Sequence, residues 1–389
     1  MGHSTPKLSF TTLKVSLLFS ALFSISAPSL ASSTPSLKTQ IGQMLMVGFD
    51  GISINSHSPI VEEMPKYGYG GVILFDHQDG KTRNIASPSQ LRTLTHDLQQ
   101  QAKQNQLPPL FIATDQEGGL ISNLKAKKGF RFFSNFSEQQ LGTTNFPPLT
   151  KYQAYTQGKL LKTSGINLDF APVVDLNINP NNPAIGKLQR SFGKEVPRVV
   201  TMAQAAITGY HHAGIMCTLK HFPGLGSASS NTDFNSVDVT KTWSKKELIP
   251  YKDLLSTPHP CQFVMVTHLV NRKLDNTGQL ASLSYPIVTG LLREQLHFKG
   301  LIITDNMDAK AITNKYEIKT AIQKAVLAGN NIILIGGAQG HSPYADAKIA
   351  FNAIYELAKS SPTARKQIEE SYQKIMAVKQ AYFESKTID

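Results

Sequence analysis

The sequence predicts an α/β protein folded as one (β/α)8 barrel. Eight short runs rich in Val, Ile, Leu and Phe recur along the chain, and they are continuously apolar rather than alternating, as parallel strands covered by helices are. Segments with helical periodicity separate them, several opened by a capping residue and a proline. Four of the runs end in a charged or imidazole side chain and a fifth is followed at once by an aspartate, at the end of the strand where this architecture carries its chemistry.

In chain order the runs are MLMVGF (44–49), GVILF (71–75), LFIAT (110–114), NLDFAPVVD (167–175), IMCTLK (215–220), FVMVTH (263–268), LIITD (301–305) and NIILIG (331–336). Between them the periodicity predicts a helix beginning at Ser87, with Ser as N-cap and Pro88 at the first helical position, then helices over 148–163, 197–213, 244–255, 285–297 and 317–328. Two more, 343–359 and 362–383, follow the eighth strand. A strand joined to a parallel strand through a helix is a right-handed βαβ unit, and eight in series close most economically into a barrel. A doubly wound open sheet is the structural alternative, but no Gly-rich dinucleotide fingerprint follows the first strand.

Composition sets the outer limits. Of 389 residues, 41% are hydrophobic and 17% charged, enough apolar mass for a large core and far from a disordered chain. Residues 1–31 read as a secretory signal peptide: Lys7 and Lys14 precede VSLLFSALFSI, and small Ser29 and Ala31 sit at the cleavage spacing. A membrane anchor needs roughly 18 apolar residues, more than this stretch supplies. The expected domains are therefore 1–31, removed on export, and 32–389, a periplasmic or secreted barrel with no stable membrane insertion after cleavage and no Cys at the new N-terminus to take a lipid.

The formal charge of +12, or +10 without the leader's two lysines, favours encounter with anionic polymers or surfaces without defining a site. Basic residues are scattered, the densest run being KAKK (125–128), which reads as a solvated loop, and no nucleic-acid module accompanies them, so no nucleic-acid partner is expected. Cys217 and Cys261 lie in or just before neighbouring strands, and both a disulfide and two buried thiols remain open.

The strand ends supply Asp115 after the third run, Asp175 after the fourth, Lys220 and His221 after the fifth, His268 after the sixth and Asp305 after the seventh. Any one of these has an ordinary structural explanation as a helix cap or an arginine partner; five strand ends converging on one rim point to a site.

TDQEGG (114–119), FAPVVDLNINPNNPAIGKLQRSFG (170–193), KHFPGLG (220–226) and IITDNMDAKAI (302–312) together resemble blocks of the bacterial β-N-acetylglucosaminidases of glycoside hydrolase family 3, in that family's order and at its strand positions. The resemblance covers about 37–328 and implies a TIM barrel and a retaining β-N-acetylhexosaminidase acting on a saccharide that contains N-acetylglucosamine, with no cofactor and no metal. It assigns the nucleophile to Asp305, the grip on sugar hydroxyls to Asp115, Arg190, Lys220 and His221, and further lining positions to Asp175 and His268. Asp308, in the turn after Asp305, reads as a structural cap. Lys220 beside Asp305 would keep that carboxylate ionised, and a retaining glycosidase pairs it with a proton donor about 5 to 5.5 Å away.

Here the chain departs from the family. The loop after the fifth strand lacks the family's acid/base histidine and carries Asn231, Thr232 and Asp233 in its place; Leu225 and Leu120 replace a usual His and Arg. Three readings are open: Asp233 is the proton donor; the enzyme works slowly without one, since general acid catalysis contributes about 10²- to 10⁴-fold; or the pocket binds cell-wall sugar fragments without turnover. Asp233 as a plain turn residue is the structural counterpart, and GSASSN (226–231) reads as a tether on which the loop swings. A Schiff-base aldolase using Lys220 leaves DQEGG unexplained. A β-glucosidase relative would bring a second α/β domain, for which no length remains after the barrel. The natural substrate, muropeptide or chitin-derived, and the oligomeric state are not legible.

Overall fold

A computed structural model describes residues 1–3, 35–78, 80–337 and 342–384. The expected signal peptide lies almost wholly outside them. The chain divides into Met1–Pro35 and Ser36–Asp389, and the barrel belongs to the second unit. Among the described residues no helix is long and apolar enough to cross a membrane.

Eight parallel strands form the sheet: β1 (Leu45–Val47), β2 (Gly71–Ile73), β3 (Phe111–Thr114), β4 (Leu168–Asp169), β5 (Met216–Phe222), β6 (Phe263–Val266), β7 (Leu301–Thr304) and β8 (Ile333–Ile335). Neighbours in sequence are neighbours in space, with β8 paired to β1 through Leu45↔Ile333. The bridge Ile303↔Ile332 joins β7 to β8 and closes the ring. All eight predicted runs contain a strand. The fourth is the most shortened because Pro172 has no N–H to give the ladder; pairing resumes beyond it, where Val174 N donates to Lys220 O at 2.9 Å.

The barrel is filled, not hollow. Phe111 of β3 and Phe263 of β6, strands that are not neighbours, meet edge to face with ring centroids 5.3 Å apart. Lys379 reaches the same level from the last helix: its Nζ lies 4.8 Å from the centre of the Phe111 ring and donates to Gln43 Oε1 and Gly70 O. Fully buried without a carboxylate, its ammonium is pushed well below the ordinary lysine range.

The helix begun at Ser87 runs Pro88–Gln104, and Ser87 and Gln90 form a reciprocal capping box. Pro147–Thr163, Val196–Ala213, Ile318–Ala328, Pro343–Ser360 and Pro362–Glu384 match their predicted spans within one residue or two. The helix expected over 244–255 divides into a 3-10 turn, Lys245–Leu248, and an α-helix, Ile249–Leu255, with Pro250 at the junction. The one over 285–297 is wound as a π-helix, Pro286–Gln295. Cys217 and Cys261 are joined as a disulfide, which resolves the choice the sequence left open.

Candidate active site

At the C-terminal ends of the strands lies a cleft of about 530 Å³ lined, among others, by Asp115, Arg190, Lys220, His221, Asp233 and Asp305. Each reaches it for a local reason. Asp115 and Asp305 are the first residues past β3 and β7, and the Asp305 N–H still completes the ladder on Val266 O at 2.9 Å. Lys220 and His221 belong to β5 itself, here extended to Phe222.

The loop after β5 turns sharply at Gly224, whose φ of +115° favours glycine. At Gly226 a Cβ would stand 1.8 Å from Leu176 O, so only glycine lets the two segments touch. The loop then returns: Lys310 N donates to Asp233 O at 3.0 Å and Ala311 N to Thr232 O at 3.1 Å. These two bonds dock the loop carrying Asp233 on the segment that follows Asp305.

Beneath the cleft floor, Glu117 organises the cations. Its Oε2 accepts from Arg190 Nε at 2.7 Å and its Oε1 from Arg190 Nη2 at 2.7 Å, a bidentate fork. Lys220 Nζ lies 2.7 Å from the same Oε1 and 2.6 Å from Asp115 Oδ1. Burial alone would raise the Glu117 carboxyl, but Arg190 and Lys220 outweigh it and hold the group at about 2. Lys220, which burial alone would lower, is driven above the ordinary lysine range by Asp115 and Glu117. Its ion pairs are with these two carboxylates, which tie it into the cluster, and it lines the same cleft as Asp305. Two further buried carboxyls below, Glu138 and Asp169, are pushed well up, first of all by burial.

Arg190 also donates from Nη1 to Ala184 O at 2.9 Å, and its Nη2 lies 3.1 Å from His221 Nε2. Four of its five N–H groups are thus engaged within the protein. Asp175 accepts from His221 Nδ1 at 2.7 Å, from the His221 N–H at 3.2 Å and from Leu225 N at 2.7 Å. With Nδ1 facing a carboxylate and Nε2 facing a guanidinium, the imidazole carries its proton on Nδ1.

Two expected lining residues do not line the cleft. Asp175 is buried, both its oxygens spent on His221 and Leu225, so it orients the imidazole instead of meeting a sugar. His268 is buried as well: Nδ1 contacts Ser282 Oγ at 2.7 Å and Nε2 contacts Asn306 O at 2.9 Å, bracing the turn after Asp305. Desolvation lowers its pKa. Asp308 accepts from Gly337 N at 2.6 Å, a tie between the loops after β7 and β8.

Asp233 lies near Asp305. Burial first, and the charge of Asp305 second, raise its pKa. Its N–H also donates to Asn231 Oδ1 at 2.9 Å, so the turn role is real and coexists with the electrostatic one.

Sequence reasoning passed over three residues. Glu117 stands two positions past Asp115, a spacing that puts both side chains on one face of extended backbone, and that was its available signal. Phe234 lines the cleft at 61% exposure. His77, also lining it, has Nδ1 against Asp76, whose other oxygen is 2.6 Å from Lys125 Nζ. Lys128 donates to Asp76 O and Ile85 O, so two lysines of the basic run are anchors, not a solvated face.

The sequence profile of the Glycosyl hydrolase family 3 N terminal domain matches residues 36–378. The chain is 32% identical over 347 residues to Beta-hexosaminidase A of Pseudoalteromonas piscicida, covering 80% of this chain and 56% of that protein. Among solved structures it is similar to a glycoside hydrolase family 3 beta-N-acetylglucosaminidase from Paenibacillus sp. str. FPU-7, with 29% identity, a TM-score of 0.79, and coverage of 90% of this chain and 63% of that one. It is also similar to a Beta-N-acetylhexosaminidase from Beutenbergia cavernae DSM 12333, with 27% identity, a TM-score of 0.78, and coverage of 89% and 98%. The chain thus spans between half and two thirds of the length of the first two, 56% and 63%.

Proposed function

From the premise that the chain belongs to glycosyl hydrolase family 3, we propose that it is a retaining exo-glycosidase. It removes terminal β-linked N-acetylglucosamine from oligosaccharides of cell-wall or chitin type. The relatives' names support the substrate class, and the export signal expected in residues 1–31 supports the cell-wall setting.

The observation that carries the reading is one cleft lined by two carboxyl groups from adjacent segments, Asp305 and Asp233, together with a buried, mutually satisfied set of polar groups. Asp305 attacks the anomeric carbon; the carbon–oxygen bond breaks, its electron pair goes to the leaving oxygen, and that oxygen takes the proton of Asp233. In the second step Asp233, now a carboxylate, takes a proton from water as the water attacks the same carbon and frees Asp305. The raised pKa of Asp233 fits the donor's role, and the paired Asp115 and Lys220 offer the sugar hydroxyls an acceptor and a donor.

An aryl N-acetyl-β-glucosaminide tests this. Release of the aryl alcohol that is abolished in Asp305→Ala, and covalent labelling of Asp305 by a 5-fluoro glycosyl fluoride, are the expected results. A label on any other residue overturns the mechanism. Tight sugar binding without release would favour the fragment-binding reading, which the replacement of the family's histidine by Asp233 keeps in view.

A further inference from the structure

Resting on the hydrolase reading above, we propose that Phe234 and Leu225 form an apolar subsite for the ring of the leaving group, a sugar or other ring with a C–H face. The two residues belong to one loop, and both line the cleft. Leu225 is 2% exposed, its N–H held by Asp175 and its carbonyl by Asn182 Nδ2 at 2.7 Å, so it forms a fixed wall. Phe234 is 61% exposed. A lone exposed phenylalanine is ordinary on an open surface, but this one stands in a cleft whose floor is a network of ion pairs.

Its placement follows from Asp233. A group that protonates the glycosidic oxygen stands at the bond being broken, and the residue next to it flanks one side of that bond. The other side is taken: Asp115, Arg190, Lys220 and His221, the polar groups suited to a hydroxyl-rich ring, converge on the floor. The leaving ring is therefore the one that meets Phe234. The backbone fixes this arrangement, since Phe234 N and Asn235 N both donate to Asn231 O at 3.2 and 2.9 Å while Thr232 and Asp233 are bonded to the segment after β7. A pyranose laid on the phenyl face buries apolar area that water otherwise covers.

The experiment compares two substrates that share the transferred sugar but not the departing ring: N-acetyl-β-glucosaminyl fluoride, with no ring to leave, and N,N′-diacetylchitobiose. In Phe234→Ala the ratio of kcat/KM for the disaccharide over the fluoride falls about fivefold to tenfold, and Phe234→Trp restores it. An unchanged ratio overturns the subsite, whether both rates hold or both fall together. If the wild-type protein releases neither fluoride nor sugar, the hydrolase reading fails, and calorimetric binding decides the subsite alone. A preference for the disaccharide over N-acetylglucosamine that shrinks in Phe234→Ala sustains it; equal preference in both proteins overturns it.

Discussion

Replacing Glu117 by Gln keeps the shape of the group on which Arg190 and Lys220 depend and removes its charge. A carboxyl held at about 2 in place of the ordinary 4.5 is worth about 3 kcal/mol near neutral pH. Leaving two buried cations with less compensation extends the cost to about 3 to 5 kcal/mol. For a chain of 389 residues, an unfolding entropy of about 0.8 kcal/mol/K turns this into a fall in Tm of about 4 to 6 °C. The sign with pH follows from linkage. The folded carboxyl is depressed, so its contribution is complete above the unfolded value of about 4.5 and fades as pH falls towards about 2. The gap between wild type and Glu117→Gln should accordingly narrow by about 1 to 1.5 kcal/mol between pH 7 and about pH 3.5. Denaturant melts of both proteins across that range measure it. A variant that melts within about 1 °C of wild type at pH 7, or a gap that stays constant with pH, would refute the reasoning. Because the Glu117 side chain is 1% exposed, any accompanying loss of activity acts through displaced Arg190 and Lys220.

Asp233→Asn should lower kcat/KM by about 10²- to 10⁴-fold for a disaccharide and far less for a dinitrophenyl glycoside, whose leaving group needs no proton. Since the Asp233 carboxyl is raised and must be protonated to donate, wild-type activity falls as pH rises through that raised value, and the variant's pH profile should lose this basic limb. Asp175→Asn frees the His221 imbalance between Asp175 and Arg190; kcat/KM should drop roughly 10²-fold while the melting profile moves much less, and Asp175→Glu should recover part of it. Removing the Cys217–Cys261 disulfide, which closes a separation of 44 residues, should cost up to about 4 kcal/mol, read as a shift of the urea midpoint between oxidised protein and the double Cys→Ala variant.

The sequence by itself determined the order of the architecture and the rim on which chemistry stands. Continuous apolar runs separated by capped helices leave few topologies, and the ends of those runs are where Asp115, Lys220, His221 and Asp305 emerge into the cleft. Position along a strand decides which end of the barrel a residue reaches, and that can be read one strand at a time.

Which side chains meet is a matter of distances between strands far apart in the chain, and only the folded barrel sets those. Lys220 lies in β5 yet pairs with Asp115 and Glu117, which follow β3. Asp175 and His268 also emerge at the rim end, but His221 and the Asn306 turn cover them, so polarity at the right end of a strand did not separate a group that faces the cleft from one that braces it. The two cysteines posed the same difficulty, because a disulfide needs the geometry of β5 against the start of β6. Lys379 is the clearest case: a polar residue in an amphipathic helix reads as solvent-facing, and it takes the packing of that helix under Phe111 to bury its amine.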